Sequence, residues 1–373
     1  MFKGNLMNNS QLFSEHSISN LSLQNRLVVA PMTRVTASID GIPGDRMKSY
    51  YEDFARGGFA LVITEGIYTD KNWSQAYAYQ SGIVNDEQAR GWGAITEAVH
   101  SQGGLIFAQI MHAGAISQGN YYKDETVGPS SVRPVGEQMK FYRGEGEYPM
   151  PRELSEEEIQ EAIEGFADAA SRAVNEAGFD GIEIHGANGY LLDQFFTDYT
   201  NQRIDSWGGS IADRLKLSLS VIKAVRERLA SDVPVGIRIS QGKVNDFFHK
   251  WANGEDDARV VFSLLAESGI DFIHLTEFEA WKPAFEGNPL SLVSLARKYA
   301  PNLTIIANGS LHDAEKALQV MQDGADMIAL GRGALANHDW PERIKKGIET
   351  NDFDSSILGP IADIKDSEIP VAL

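Results

Sequence analysis

The sequence contains no cysteine. That absence excludes disulfides, thiolate metal sites, Cys-ligated iron–sulfur clusters and a cysteine nucleophile. It is the usage expected of a cytoplasmic protein. No apolar run approaches the roughly 18 residues a membrane span needs, so no membrane association is expected. The first 19 residues are polar and lack the apolar core of a signal peptide; residues 1–20 read as a short arm. Positive charge is also scarce: 33 Lys and Arg stand against 52 carboxylates, a net charge of −19. A field of that sign repels phosphate backbones and argues against a nucleic-acid partner. It leaves room for an anionic cofactor, because a local arginine and backbone N–H groups still bind phosphate. No linker, repeat or low-complexity tract divides the 373 residues, so one domain over 1–373 is expected, with a tail from about 350.

What is present is a rhythm. Short apolar runs recur at Arg26–Pro31, Phe59–Thr64, Leu105–Ile110, Gly181–His185, Val233–Ile239, Phe272–Thr276, Thr304–Ala307 and Met327–Leu330. Their continuous apolar, β-branched character suits strands buried on both faces. Helical patterns lie between them. Ser155–Ala177 opens on a capping-box pattern and stops at Gly178. Asp213–Leu229, Glu255–Ser268 and His312–Gln322 behave similarly. Strand–helix alternation with eight strands predicts an α/β fold, a single (β/α)8 TIM barrel. An open doubly wound sheet would want G-x-G-x-x-G after its first strand; Pro31-Met32-Thr33-Arg34-Val35 stands there instead. The connection 119–154 is too long for a simple loop. It predicts a capping insertion after strand 3, with a disordered insertion as the alternative.

Chemistry in such barrels sits at the C-terminal ends of the strands. All eight ends carry polar or glycine residues: Met32 and Thr33; Glu65 and Gly66; Gln109 and His112; His185; Arg238; Glu277; Asn308, Gly309 and Ser310; Gly331 and Arg332. The glycines after the last two strands would let the backbone approach a phosphate, with Arg332 beside it; alone, each could simply end a strand. Arg238, inside an apolar strand, is either salt-bridged to a carboxylate such as Glu183 or a fixed charge facing an anion. His185 and Asn188 could present two donors to one oxygen, and Tyr190 a proton; a capped loop is the plainer reading. No second ligand falls at metal spacing nearby, so no metal is expected. A flavin-free aldolase or isomerase would want a Lys or Glu at an inner strand end; only Glu65 and Glu277 qualify.

These residues resemble the old yellow enzyme (NADH:flavin oxidoreductase) family. The likeness runs from about Leu12 to Lys346. It is carried by Asn25–Arg34, Gln109 with His112-Ala113-Gly114, Pro151–Leu154, His185–Phe195, Asn201-Gln202-Arg203, Gly208-Gly209-Ser210 and Ala329–Arg332. The resemblance implies a non-covalent FMN, reduced by NADH or NADPH. Ala30, Pro31, Met32 and Thr33 would border the N5 and O4 edge, and Gly66 would pack against the ring. Gln109 would bind the pyrimidine end, and Arg238 would face N1 and O2. Gly309, Ser310, Gly331 and Arg332 would hold the phosphate, with Asn308 at the same end. His185 and Asn188 would grip the carbonyl oxygen of a small-molecule substrate, and Tyr190 would protonate its α-carbon. The implied reaction is ping-pong reduction of the C=C bond of α,β-unsaturated carbonyls or similar alkenes. Quinone or nitro acceptors, or a non-catalytic FMN-binding role, are the alternatives. A homo-oligomer is compatible with the family. The chain departs from the family pattern at Trp207, at Ala212-Asp213-Arg214 and across Ser240–Trp251.

Overall fold

Eight segments rich in Val, Ile and Leu become strands because both of their faces find apolar partners. In the computed structural model, which describes residues 9–370, they are β1 (Leu27–Val29), β2 (Leu61–Tyr68), β3 (Leu105–Met111), β4 (Gly181–His185), β5 (Val235–Ser240), β6 (Phe272–Thr276), β7 (Thr304–Asn308) and β8 (Met327–Leu330). They close into a parallel barrel in sequence order, with β8 returning to pair with β1. The first strand is shorter than expected and the second runs four residues further, to Tyr68.

Helices cover the barrel: α1 (Asp45–Arg56), α2 (Asp86–Ser101), α3 (Glu156–Asn175), α4 (Leu191–Phe196), α5 (Lys216–Arg228), α6 (Glu255–Ala266), α7 (Leu292–Tyr299) and α8 (Ala314–Gln322). Helix α3 begins with the expected capping box, Ser155 and Glu158 exchanging side chain-to-backbone hydrogen bonds. The helix expected over 213–229 is instead two pieces. A single turn, Ile211–Arg214, is capped by Ser210 and Asp213, and α5 follows after Leu215.

Two cores result. Outside the barrel, Val62, Ile182, Ile237 and Ile305 pack against Phe54, Trp92, Phe166 and Phe262 from the helices. Inside it, Val28, Ile63, Phe107, Phe272, Ile306 and Met327 form a plug. Phe107 and Phe272 meet with centroids 5.6 Å apart. Their rings fit because β4 and β5 carry glycine opposite them; a Cβ on Gly236 would lie 2.4 Å from the Phe272 ring. A hairpin of His16–Ile18 and Leu21–Leu23 adds Ile18 and Leu23 and closes the N-terminal end. Among the described residues the large cavity lies at the other, C-terminal end.

Over that end lies the segment 119–154. It holds a parallel pair, Val127–Gly128 with Arg152–Glu153, and a 3-10 turn at Lys140–Tyr142. The chain after 350 folds back onto it. The Ala362 N–H donates to the Phe141 carbonyl at 2.8 Å. Arg34, just past β1, forms a buried ion pair with Glu368 at 2.6 Å. The tail is therefore a strap joining cap to barrel; of the expected arm, residues 1–8 lie outside the described range. Among the described residues no helix is long and apolar enough to cross a membrane.

Candidate active site

The strand ends surround a cavity of about 1030 Å³. Ala30, Pro31, Met32, Thr33, Gly66, Gln109, His185, Asn188, Tyr190, Arg238, Asn308, Gly309, Ser310, Gly331 and Arg332 all line it. Two other strand-end residues do not. Glu65 turns outward at a register shift in β2 and accepts from the Tyr51 hydroxyl at 3.0 Å. Burial pushes its carboxyl up to about 7. His112 is buried elsewhere, its Nδ1 accepting from the Gly114 N–H at 3.1 Å. Glu277 does reach the cavity, where Lys250 pairs with it at 3.1 Å. A Glu65 base for isomerase chemistry is thus removed by position.

One wall is cationic. Arg238 is 5% exposed, and its Nη2 donates to Asn308 Oδ1 at 2.9 Å. It makes no ion pair with Glu183 among the described residues. Both Glu183 oxygens are otherwise engaged, one by Gln109 Nε2 and one by His274 Nδ1, each at 2.8 Å. Arg238 Nε is buried without a partner among the described residues. Burial pulls the guanidinium below its ordinary value, against the raising field of Glu183. A buried unpartnered donor costs about 1–3 kcal/mol. An acceptor on a bound ligand would remove that cost, so this atom suits the N1 and O2 edge of a flavin.

The donor cluster starts on the neighbouring strand, where His185 is in register with Arg238. His185 Nδ1 accepts from the Ala187 N–H at 3.3 Å, which leaves the ring proton on Nε2. Burial, Arg238 and His274 together hold the imidazole well below its usual range, so it is neutral. Asn188 sits in a left-handed conformation, φ 61°. The Tyr190 ring lies 4.9 Å from that of His185. Its hydroxyl hydrogen-bonds Tyr77 at 2.5 Å, and burial raises it above the usual phenol range. Tyr77 and Tyr142, whose hydroxyl donates to the Thr33 carbonyl at 3.3 Å, were not found by sequence reasoning. Tyr77 lies over a hundred residues from Tyr190 along the chain, with no spacing that marks it.

At the far end the loops after β7 and β8 lie side by side, Asn308 in register with Ala329. Gly309 has φ 145°, and a Cβ there would fall 2.2 Å from the Glu277 carbonyl, so only glycine fits. The Ser310 hydroxyl donates to the Phe278 carbonyl at 2.7 Å. Arg332 makes no ion pair among the described residues, and its guanidinium lies 5.8 Å from the Phe278 ring centroid.

A long cavity with a fixed cation, a neutral donor cluster on the neighbouring strand and glycine loops after the last two strands suits a flat ring with a sugar-phosphate tail. That places the chain among the flavin-dependent α/β-barrel oxidoreductases. Comparison with known proteins gives the family: residues 11–351 match the NADH:flavin oxidoreductase / NADH oxidase family, and the chain belongs to it, the old yellow enzymes. It is 35% identical to an NADH oxidase from Thermoanaerobacter brockii, over 90% of this chain and 51% of that protein. It is 35% identical to a probable flavin mononucleotide-dependent alkene reductase from Leishmania infantum, over 88% of each. The solved structure of morphinone reductase in complex with tetrahydroNAD superposes with a TM-score of 0.81 at 32% identity, covering 93% of each chain. The protein is accordingly an NAD(P)H:flavin oxidoreductase that uses non-covalent FMN.

Proposed function

We propose that the protein reduces the C=C bond of alkenes activated by a conjugated carbonyl, in ping-pong alternation with oxidation of NADH or NADPH. The observation that carries this reading is the neutral, Nε2-protonated His185 close to Asn188, lining the cavity on the strand next to Arg238. The Leishmania relative's name and the nicotinamide analogue bound to morphinone reductase point the same way. When bound, FMN would supply the hydride-transfer chemistry linking NAD(P)H oxidation to alkene reduction.

The chain's own residues do the rest. Arg238 and Gln109 would hold the pyrimidine edge. Ala30, Pro31, Met32, Thr33 and Gly66 would border the ring, and Asn308, Gly309, Ser310, Gly331 and Arg332 would take the ribityl phosphate. His185 Nε2 and the Asn188 amide donate to the carbonyl oxygen, drawing charge away from the β-carbon. Tyr190 delivers a proton to the α-carbon. One cavity must serve nicotinamide and alkene in turn, which is the reason for ping-pong kinetics. The whole chain acts as one FMN-binding unit, with 119–154 as its cap.

The test is anaerobic. NADH or NADPH should bleach the flavin band of the purified holoenzyme, and cyclohexenone or N-ethylmaleimide should restore it. Bleaching that no activated alkene reverses would overturn the reading. Parallel lines in double-reciprocal plots should accompany turnover; intersecting lines contradict the alternation.

A further inference from the structure

Asn188 and Gly189 are consecutive residues in the left-handed region, at φ 61° and 87°. For asparagine such a backbone persists where its surroundings over-determine it. The surroundings come from the end of β5 and the segment after it, where the sequence departs from the family pattern. Ser240 Oγ accepts from the Asn188 N–H at 2.8 Å, and the Val244 N–H donates to the Asn188 carbonyl at 3.0 Å. The Gly189 N–H donates to Asp193 Oδ2 at 2.7 Å. That same oxygen is ion-paired with Lys243 Nζ at 2.8 Å. Lys243 Nζ also donates to Thr197 Oγ1 at 2.7 Å. The Lys243 and Asp193 side chains are 3% and 1% exposed.

A buried ion pair adds little net stability over a well-packed apolar pair, so what it fixes matters more than what it contributes. This one fixes a carboxylate under the turn that carries Asn188. We infer that Lys243 is a positioning residue for the substrate-oxygen site, acting through Asp193 on the 188–189 turn and so on the aim of the Asn188 amide. The inference rests on the reading of Asn188 as a donor to that oxygen. Lys243 acts through another side chain; it is not a catalytic residue. His185 lies on β4 itself and does not depend on the pair. FMN retention, which falls to Arg238 and the loops after β7 and β8, does not depend on it either.

The test uses holoenzyme and a phenol, 4-hydroxybenzaldehyde, whose binding is followed by the shift in flavin absorbance. Lys243→Met/Asp193→Asn removes both charges and leaves no unpaired buried ion. Its phenol Kd should rise at least tenfold, with the flavin-to-protein ratio unchanged. Asn188→Ala should weaken the phenol by a similar factor. All three substitutions together should be no weaker than Asn188→Ala alone, because pair and amide act as one unit. If the double variant does not yield holoenzyme, Asp193→Asn alone must weaken the phenol in the same non-additive way. A Kd within twofold of the parent, or additive losses, would overturn the inference while leaving the proposed reaction in place. An Asn188→Ala protein with the parent Kd would instead remove the donor role on which both stand.

Discussion

Tyr190 and Tyr77 share one short hydrogen bond beneath the cap, both out of solvent. Burial disfavours the phenolate of Tyr190, so it holds its proton at neutral pH until a stronger base forms on the substrate. Tyr190→Phe should therefore slow reoxidation by an alkene by about 10²–10⁴-fold, the usual range for a positioned proton donor. Bleaching by NADH should keep close to its parent rate, since that half-reaction needs no phenol proton. Stopped-flow traces of the two half-reactions decide this, and equal losses in both exclude the donor role. Glu65 makes a separate residue-scale prediction. Its folded value of about 7 exceeds the ordinary carboxylate value, so the folded state holds a proton that the unfolded chain has released. Between those values its contribution to stability falls as pH rises, by about 3 kcal/mol in all. Glu65→Gln lacks this penalty. Relative to the parent, its melting temperature should improve from pH 5 to pH 8; a pH-independent difference would show that Glu65 is ionised throughout.

Among the elements, the strap after residue 350 decides whether the cap stays in place. Arg34 is fully buried; besides Glu368 it donates to the carbonyls of Ala362 and Asp363 and lies 5.2 Å from the Tyr50 ring centroid. Glu368→Ala leaves that guanidinium buried without its counter-ion, a loss of about 3–5 kcal/mol. Because Arg34 follows Thr33 and the strap holds Phe141, the variant should also release flavin faster. Free-flavin fluorescence after dilution reads this, and unchanged release would mean the cap closes without the strap. None of this was legible in the sequence, where 350–373 reads only as a tail: an ion pair between residues 34 and 368 has no local signature. The barrel strands were legible because burial on both faces writes itself as unbroken apolar runs. The helix break at Leu215 was missed because apolar periodicity continues across it, although Ser210 and Asp213 carried the capping signal. The strand-end residues could be read because a barrel gathers them at one end. Tyr77 and Lys243 could not, since loops from distant parts of the chain bring them in.

For the molecule as a whole, the net charge of −19 and the buried histidines pull stability in opposite directions as pH falls. Lowering pH neutralises carboxylates and relieves self-repulsion, but most of those charges are exposed and salt screens them beyond about 8–10 Å. His112, His185 and His274 are buried, and burial lowers each below its ordinary value. Below about pH 6.5 the unfolded chain takes up protons at these positions while the folded state declines them. Each such group removes up to about 1.4 kcal/mol of stability per pH unit until its folded value is reached. Glu65 offsets one of the three over the same range. The histidines should win: in 0.15 M salt the urea midpoint should fall between pH 7 and pH 5.5. His274→Gln, which keeps a partner for Glu183 beside Arg238, should flatten that slope by about one proton's worth. A midpoint that rises on acidification would mean surface repulsion outweighs the buried imidazoles. An unchanged slope in His274→Gln would mean that the ring titrates alike in the folded and unfolded chain, and a steeper one that it is already protonated against Glu183 when folded; in either case the charge balance around Arg238 would have to be redrawn.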